Sequence, residues 1–296
     1  MSIPNRIKEY IGRYALVDGI PYAMPIQTAH SQAFMVGFYC DFAKAAALLP
    51  GNELHPLRLW NGKAVFIVTV VNYTNTTIGK YIEYRLAIAV TRGPRPATRI
   101  LPAIFMDSYN TGQFLLDLPV STEIAIKAGK GVWGFPKHHA NLDFNVGDRM
   151  ISSQYEADGE FAFRIEFERP SSTNFPLNIG AVNYSHFRNM LIASHNYFNS
   201  KAGLRLGKKA LGNVYIGDSY RTAYMRDLKL ESKPFFTLFM PDLNGILDDY
   251  VQSWFVTYPT PPSEGDSEGL ESVIRLGQGQ EWLGPPSITD YERFKI

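Results

Sequence analysis

Hydrophobic positions recur in short segments broken by glycine, proline and polar turns, the punctuation of strands rather than of long helices. Ala64–Tyr73 is rich in Val and Ile and predicts a mostly buried strand. Ala33–Tyr39, Tyr81–Thr91, Arg99–Met106 and Gln113–Leu118 predict further strands. Met150–Glu156 and Glu160–Glu168 flank Asp158-Gly159, a dipeptide suited to a tight hairpin turn, so an antiparallel meander is expected there. Two short helices interrupt the strands. Asp41 caps one that runs through Ala47 and ends before Pro50; Ser121 caps another that runs through Lys127 and stops near Gly129 and Gly131. Tyr184–Phe198 mixes Phe187, Met190, Leu191 and Tyr197 with polar residues and fits either an amphipathic helix or an irregular strand. Thr260–Gly269, with Pro261, Pro262 and Gly265 among acidic residues, predicts a polar loop within a single domain over 1–296, and residues 270–296 an appendage that packs back.

Composition removes several function classes. With 29 basic and 28 acidic side chains the net charge is +1, so there is no electrostatic footprint for nucleic acid or an anionic membrane. The single cysteine, Cys40, makes no internal disulfide and no multi-thiolate metal site. None of the six histidines, His30, His55, His138, His139, His186 and His195, falls in a zinc-binding helical pattern. Glycine-rich nucleotide-binding signatures are missing too, so no cofactor and no metal are expected. Charged residues interrupt the first twenty positions, and no run approaches the ~20 apolar residues that cross a bilayer. A cytoplasmic protein without a membrane partner is the expectation.

The segment Gly129-Lys130-Gly131-Val132-Trp133-Gly134-Phe135-Pro136-Lys137-His138-His139-Ala140 is the most unusual in the chain. Its glycines and proline impose a special backbone path, and Trp133, Phe135 and Pro136 set bulky apolar surface directly before Lys137. An ordinary lysine amine titrates near 10.4, so at neutral pH only about one copy in a few thousand carries the lone pair that attacks a carbonyl. Burial penalises the ammonium, and a lysine treated this way becomes a Schiff-base nucleophile. The alternative is a solvated surface charge beside a core tryptophan. Upstream, strand alternation puts Tyr81, Glu83, Arg85, Ala87 and Ala89 on one face, suited either to lining a cavity or to carrying a solvent-exposed Glu–Arg pair. His138 and His139 point to opposite faces if extended, one toward the cavity and the other toward core or solvent.

Gly131-Val132-Trp133-Gly134-Phe135-Pro136-Lys137, with Ala125 to Lys130 before it, resembles the active-site segment of the acetoacetate decarboxylase superfamily, in which an aromatic-Pro-Lys sequence supplies the imine-forming lysine. That family is itself an established example of an activated lysine. Tyr81-Ile82-Glu83, with Val90 seven residues after the acid, resembles the strand whose glutamate faces the lysine. The resemblance covers residues 30 to 170 well and 215 to 255 loosely. It implies a β-rich α+β fold: antiparallel sheets curled into a cone or barrel around a mostly apolar cavity, with a few flanking helices. It also implies a homo-oligomer acting on a small keto acid. Lys137 and Glu83 take the catalytic places, Trp133 and Phe135 shape the pocket, and His138 supplies a polar contact. Two positions depart from the pattern. His138 stands where the clostridial-type enzymes have a second lysine, and Ser31 stands where the family has an arginine for the substrate carboxylate. Arg85 is then the expected carboxylate partner, with Arg164 a weaker candidate.

A carboxylate ~4 Å from an ammonium favours the charged amine by about 4 kcal/mol at an effective dielectric near 20. Glu83 is therefore expected to be protonated in the resting site or to stand off from Lys137, and to move protons at the substrate carbon. The expected activity is that of a carbon–carbon lyase, decarboxylating a β-keto acid through a lysine imine. The alternatives are an aldolase-dehydratase or cyclase using the same imine on a pyruvate-like 2-oxo acid, and a non-catalytic binder of a small apolar or carbonyl ligand.

Overall fold

The structure, a computed structural model, describes residues 4–9 and 12–261. The expected appendage, and the expected polar loop from Pro262 on, lie outside them. The chain divides into two units, Met1–Tyr258 and Pro259–Ile296, and every element below belongs to the first.

In chain order the strands are β1 (Arg13–Val17), β2 (Ile20–Met24), β3 (Ile26–Cys40), β4 (Leu54–Pro56), β5 (Ala64–Tyr73), β6 (Tyr81–Arg92), β7 (Gly112–Val120), β8 (Lys137–His139), β9 (Asn141–Leu142), β10 (Asn145–Val146), β11 (Met150–Ala157), β12 (Glu160–Glu168), β13 (Phe175–Phe187), β14 (Met190–Leu206), β15 (Gly212–Ile216) and β16 (Phe236–Phe255). The sheet order β6-β5-β3-β16-β14-β13-β7 is closed by pairing of β6 with β7, which makes a seven-stranded barrel. Among the described residues only β7 makes parallel pairs: β6 runs antiparallel along one edge, and the other edge pairs with β13 at residues 112–114 and with β8 at residues 118–120. A smaller sheet, β10-β11-β12-β15, packs outside it. The β-rich expectation with few helices is what the chain adopts.

Among the described residues three apolar clusters explain the pattern, the smallest being Leu57, Val65, Ile67 and Ala89. Outward-facing Phe66, Val68, Val70, Tyr84, Leu86 and Ile88 join Tyr155, Phe163 and Phe167 of the smaller sheet in one cluster. Inward-facing Val71, Tyr73, Tyr81 and Ala87 join Leu115, Leu118, Trp133 and Leu238 in a second. With both faces covered, β5 is a near-continuous apolar run rather than an alternating one.

Several local expectations hold. Asp41 accepts from the Lys44 backbone N–H at 2.9 Å and caps the helix Phe42–Ala47. Asp158 and Gly159 both take positive φ in the β11–β12 turn. Others are corrected. Arg99–Met106 is not a strand: Leu101–Ile104 is one helical turn, where Pro102 lacks the N–H a ladder needs and suits a helix start. The helix expected to end near Gly129 and Gly131 runs through both, from Glu123 to Trp133, and stops at Gly134, whose φ of +59° is left-handed. Thr122, not Ser121, holds its cap position. Ser121 Oγ instead accepts from the Ile82 N–H at 2.8 Å. Tyr184–Phe198 spans the β13–β14 hairpin, turned by Arg188 and Asn189 at positive φ. Among the described residues no helix is long and apolar enough to cross a membrane.

Candidate active site

Alternation along β6 sends Tyr81, Glu83 and Arg85 into the barrel, the cavity-facing alternative of the two the sequence leaves open. Lys137 arrives from a different direction. After the helix stops at Gly134, the Phe135 N–H returns to the Gly129 carbonyl at 3.1 Å, and the chain enters β8 with Lys137 beside Leu118 of β7. The lysine side chain then crosses the helix over Gly129: a Cβ there would lie 2.3 Å from Lys137 Cδ and 2.5 Å from Cε. Gly129 is thus the groove along which the amine reaches the lumen.

Lys137 Nζ lies 2.8 Å from Glu83 Oε2, and Arg85 Nη2 donates to Glu83 Oε1 at 3.0 Å. Arg85 Nη1 donates to Asn183 Oδ1 on β13 at 3.1 Å. Lys137, Glu83 and Arg85 are 3%, 3% and 5% exposed, so one carboxylate bridges two cations away from bulk water. Burial pushes the Glu83 carboxyl up, but the Lys137 ammonium and the Arg85 guanidinium outweigh it and hold the group below its ordinary value. Tyr81 lies beneath the amine, 5.4 Å from Nζ to the ring centroid, and stacks on Tyr73 at 4.5 Å; burial pushes both phenols up. Beside Glu83 and Arg85, lined also by Tyr73, Tyr81 and Asn196, is a hollow of about 20 Å³, room for about one water.

Glu83 does not stand off from Lys137, and this corrects the expectation. Arg85 is the reason: a second cation on the same carboxylate keeps it ionised, so the contact with lysine persists. The cluster carries a net charge of +1.

Other expected site residues lie elsewhere. With Lys137 pointing inward, His138 points outward, and its Nε2 sits 2.8 Å from Asp117 Oδ1 and 3.2 Å from Tyr155 Oη, between barrel and outer sheet. It makes no contact in the hollow. Trp133 and Phe135 stack at 5.7 Å in the inner core, and the Trp133 Nε1–H donates to the Asp248 carbonyl at 2.9 Å. They support the lysine segment rather than line the hollow. Arg164 lies on the outer sheet, 3.5 Å from Glu166. Ser31 is buried, bonded to Thr28 Oγ1 at 2.7 Å and accepting from the Thr74 N–H at 3.3 Å. Asn183 and Asn196 are the residues that sequence reasoning missed; each is an amide at a buried position of a strand that also has exposed ones. Among the described residues no cluster of His, Cys, Asp and Glu is arranged to hold a metal ion.

The profile of the family described as acetoacetate decarboxylase (ADC) matches residues 17–187, a span that includes Glu83, Arg85 and Lys137. The chain belongs to the acetoacetate decarboxylase family. No curated protein matches it. Among solved structures, acetoacetate decarboxylase from Legionella pneumophila subsp. pneumophila str. Philadelphia 1 is 14% identical, with 84% of this chain and 90% of that one covered at a TM-score of 0.54. A second acetoacetate decarboxylase is 13% identical over 78% and 89% of the two chains, TM-score 0.56. The enduracididine biosynthesis enzyme MppR is 13% identical over 78% and 88%, TM-score 0.53. At these identities the likeness is one of fold, and it agrees with the family's barrel.

Proposed function

We propose that this member of the acetoacetate decarboxylase family is a Schiff-base lyase that decarboxylates a β-keto acid, with Lys137 as nucleophile. The observation that carries the reading is a buried amine held 2.8 Å from a carboxylate that a second cation also holds. Two cations facing one anion leave a charge of +1, which a substrate carboxylate neutralises by docking on Arg85. Once Arg85 is shared with that second anion it stabilises Glu83 less, and the Lys137 proton can pass to Glu83 along the existing hydrogen bond. The substrate thereby switches on its own nucleophile.

The neutral amine then adds to the ketone carbon, and the carbonyl electron pair moves to oxygen, which leaves as water with one proton from the amine nitrogen and one from Glu83. The product is a protonated imine, the electron sink for the next step. The bond to the carboxylate breaks, carbon dioxide departs, and the pair it leaves converts the imine to an enamine. Glu83, reprotonated from solvent, or a water it orients in the adjoining hollow, delivers a proton to the enamine carbon. Water then hydrolyses the imine, releasing the ketone and restoring the amine; one solvent proton is consumed per turnover.

Incubation with acetoacetate and cyanoborohydride tests this by mass spectrometry. A reduced adduct on Lys137 in the wild-type protein, absent from Lys137→Ala, together with released carbon dioxide, is the expected result. An adduct without carbon dioxide points to aldol-type use of the imine, and no adduct with any small keto acid removes the nucleophile.

A further inference from the structure

A second cavity lies in the same barrel and is not used by the chemistry above. Its volume is about 280 Å³, near the lower end of ordinary small-molecule sites, and its walls are nearly all apolar: Val65, Ile67, Ala89, Ala181 and Phe236 among others, with Thr111 and Gln113 as the polar exceptions. Strand register places it relative to the lysine. Along β5 and β6 the inward pairs run Val71 with Glu83, then Thr69 with Arg85, then Ile67 with Ala87. Each pair is about 7 Å further along the strand, so the Ile67 wall lies one layer beyond Arg85 and two beyond Glu83.

Polar atoms collect in the layer between. Thr69 Oγ1, Arg85 Nε, Gln113 Oε1 and Ser194 Oγ are all buried and lack a hydrogen-bond partner, and each residue is 9% exposed or less. Cross-strand pairing brings them together: Thr69 opposes Arg85, while Asn183, which Arg85 contacts, opposes both Gln113 and Ser194. Buried polar groups in proteins are partnered almost without exception. Three unpaired donors or hydroxyls and an unpaired amide oxygen, the last on the wall of the apolar cavity, match an occupant with a polar head and an apolar tail.

We propose that the barrel takes a keto acid bearing an unbranched alkyl tail of several carbons, with the tail in the Val65–Ile67–Ala89 cavity and the oxygen-rich head at the level of Thr69, Arg85, Gln113 and Ser194, within reach of Lys137. What happens at the head rests on the imine reading; the seat for the tail does not. Acetoacetate is then a poor substrate because it leaves the apolar cavity empty. The tail is discriminated by transfer out of water alone, about fourfold in affinity per methylene, the fold-change equivalent to ~0.8 kcal/mol per buried CH₂.

The test has two arms on the full-length protein. Calorimetric titration with straight-chain saturated acids from butanoate to dodecanoate reads the cavity without any imine. Cyanoborohydride trapping with the 3-oxo acids from acetoacetate to 3-oxodecanoate reads the lysine. Affinity rising about fourfold per methylene and then levelling is expected in the first arm, and Ala103→Trp, a substitution at an exposed residue on the cavity wall, is expected to flatten that rise. Ala89→Phe fills the cavity from inside and gives a second reading if it folds. Trapping on Lys137 with affinities independent of chain length overturns the tail seat and leaves the imine intact. Length-dependent binding without trapping overturns the imine and leaves the seat. A mouth closed by a second copy of the chain appears as no acid binding together with a changed sedimentation coefficient in Ala103→Trp, and this too overturns the proposal.

Discussion

Replacing Gly129 with alanine separates the geometry of the lysine from the stability of the helix that supports it. Gly129 sits inside Glu123–Trp133, so helix propensity alone favours alanine by about 1 kcal/mol. Against that, the new Cβ would lie 2.3 Å from Lys137 Cδ and 2.5 Å from Cε, where carbon pairs ordinarily rest ~3.5–4.0 Å apart. The lysine must give by more than ~1 Å, and overpacking of this kind costs ~1–3 kcal/mol. The shift also pulls the amine from the carboxylate. At an effective dielectric near 20, stretching the 2.8 Å contact to ~4 Å lowers the attraction from about 6 to about 4 kcal/mol. The net expectation is a loss of ~2–4 kcal/mol in folding stability.

The effect on imine formation should be larger still, because displacing a reacting group by ~1 Å costs on the order of a hundredfold in rate. Gly131→Ala is the matched control. It lies on the same helix and its Cβ would meet Val17 Cγ1 at 2.4 Å, but the lysine does not cross it. Its stability should change by ~0–2 kcal/mol in the unfavourable direction, the same overpacking less the same propensity gain, with trapping at the wild-type rate. Denaturant melts and the rate of cyanoborohydride adduct formation, measured on both variants, check the pair. Wild-type trapping in Gly129→Ala would refute the argument that this glycine positions the amine.

The charge inventory of the site makes two further predictions. Glu83→Gln leaves Lys137 and Arg85 buried without a counter-charge and should cost ~3–5 kcal/mol, whereas Lys137→Met leaves Glu83 paired one to one with Arg85 and should cost clearly less; equal losses in urea melts would contradict the bridging carboxylate. Acid dependence follows from the lowered Glu83 value: the folded group titrates below an unfolded glutamate, near 4.3, so its stabilisation is present above about pH 4.3 and is lost as pH falls through the folded value. The stability gap between wild type and Glu83→Gln should therefore be widest near neutrality and shrink on acidification below about pH 4.3, and a gap independent of pH would rule out an ionised Glu83.

Much of the architecture is legible from local pattern because it is set by local physics. A segment rich in Val and Ile marks β5 as mostly buried, Asp41 caps its helix, and Asp158-Gly159 turns its hairpin through backbone preferences that need no distant partner. Alternation alone also placed Glu83 and Arg85 on a shared face. Carried one residue further, it excludes His138 from the lumen: an inward Lys137 forces its neighbour outward toward Asp117 and Tyr155. The helix is longer than the glycines at 129 and 131 predict, because their small size serves close approach by Lys137 and Val17 rather than a stop.

Residue types and their faces were thus contained in the sequence of this protein: an amine preceded by bulky apolar groups, an acid and an arginine two residues apart on one strand, and β-rich punctuation around them. Closure of the barrel decided the rest. Pairing of β6 with β7 and of β7 with β8 brings Glu83 and Lys137 together, and the run of β13 and β14 past the same point adds Asn183 and Asn196. Whether the carboxylate is charged, which cations share it, and which buried polar atoms lack partners are properties of distances between strands remote in sequence. Coulomb and hydrogen-bond energies depend on those distances, so they come into existence only when the sheet closes.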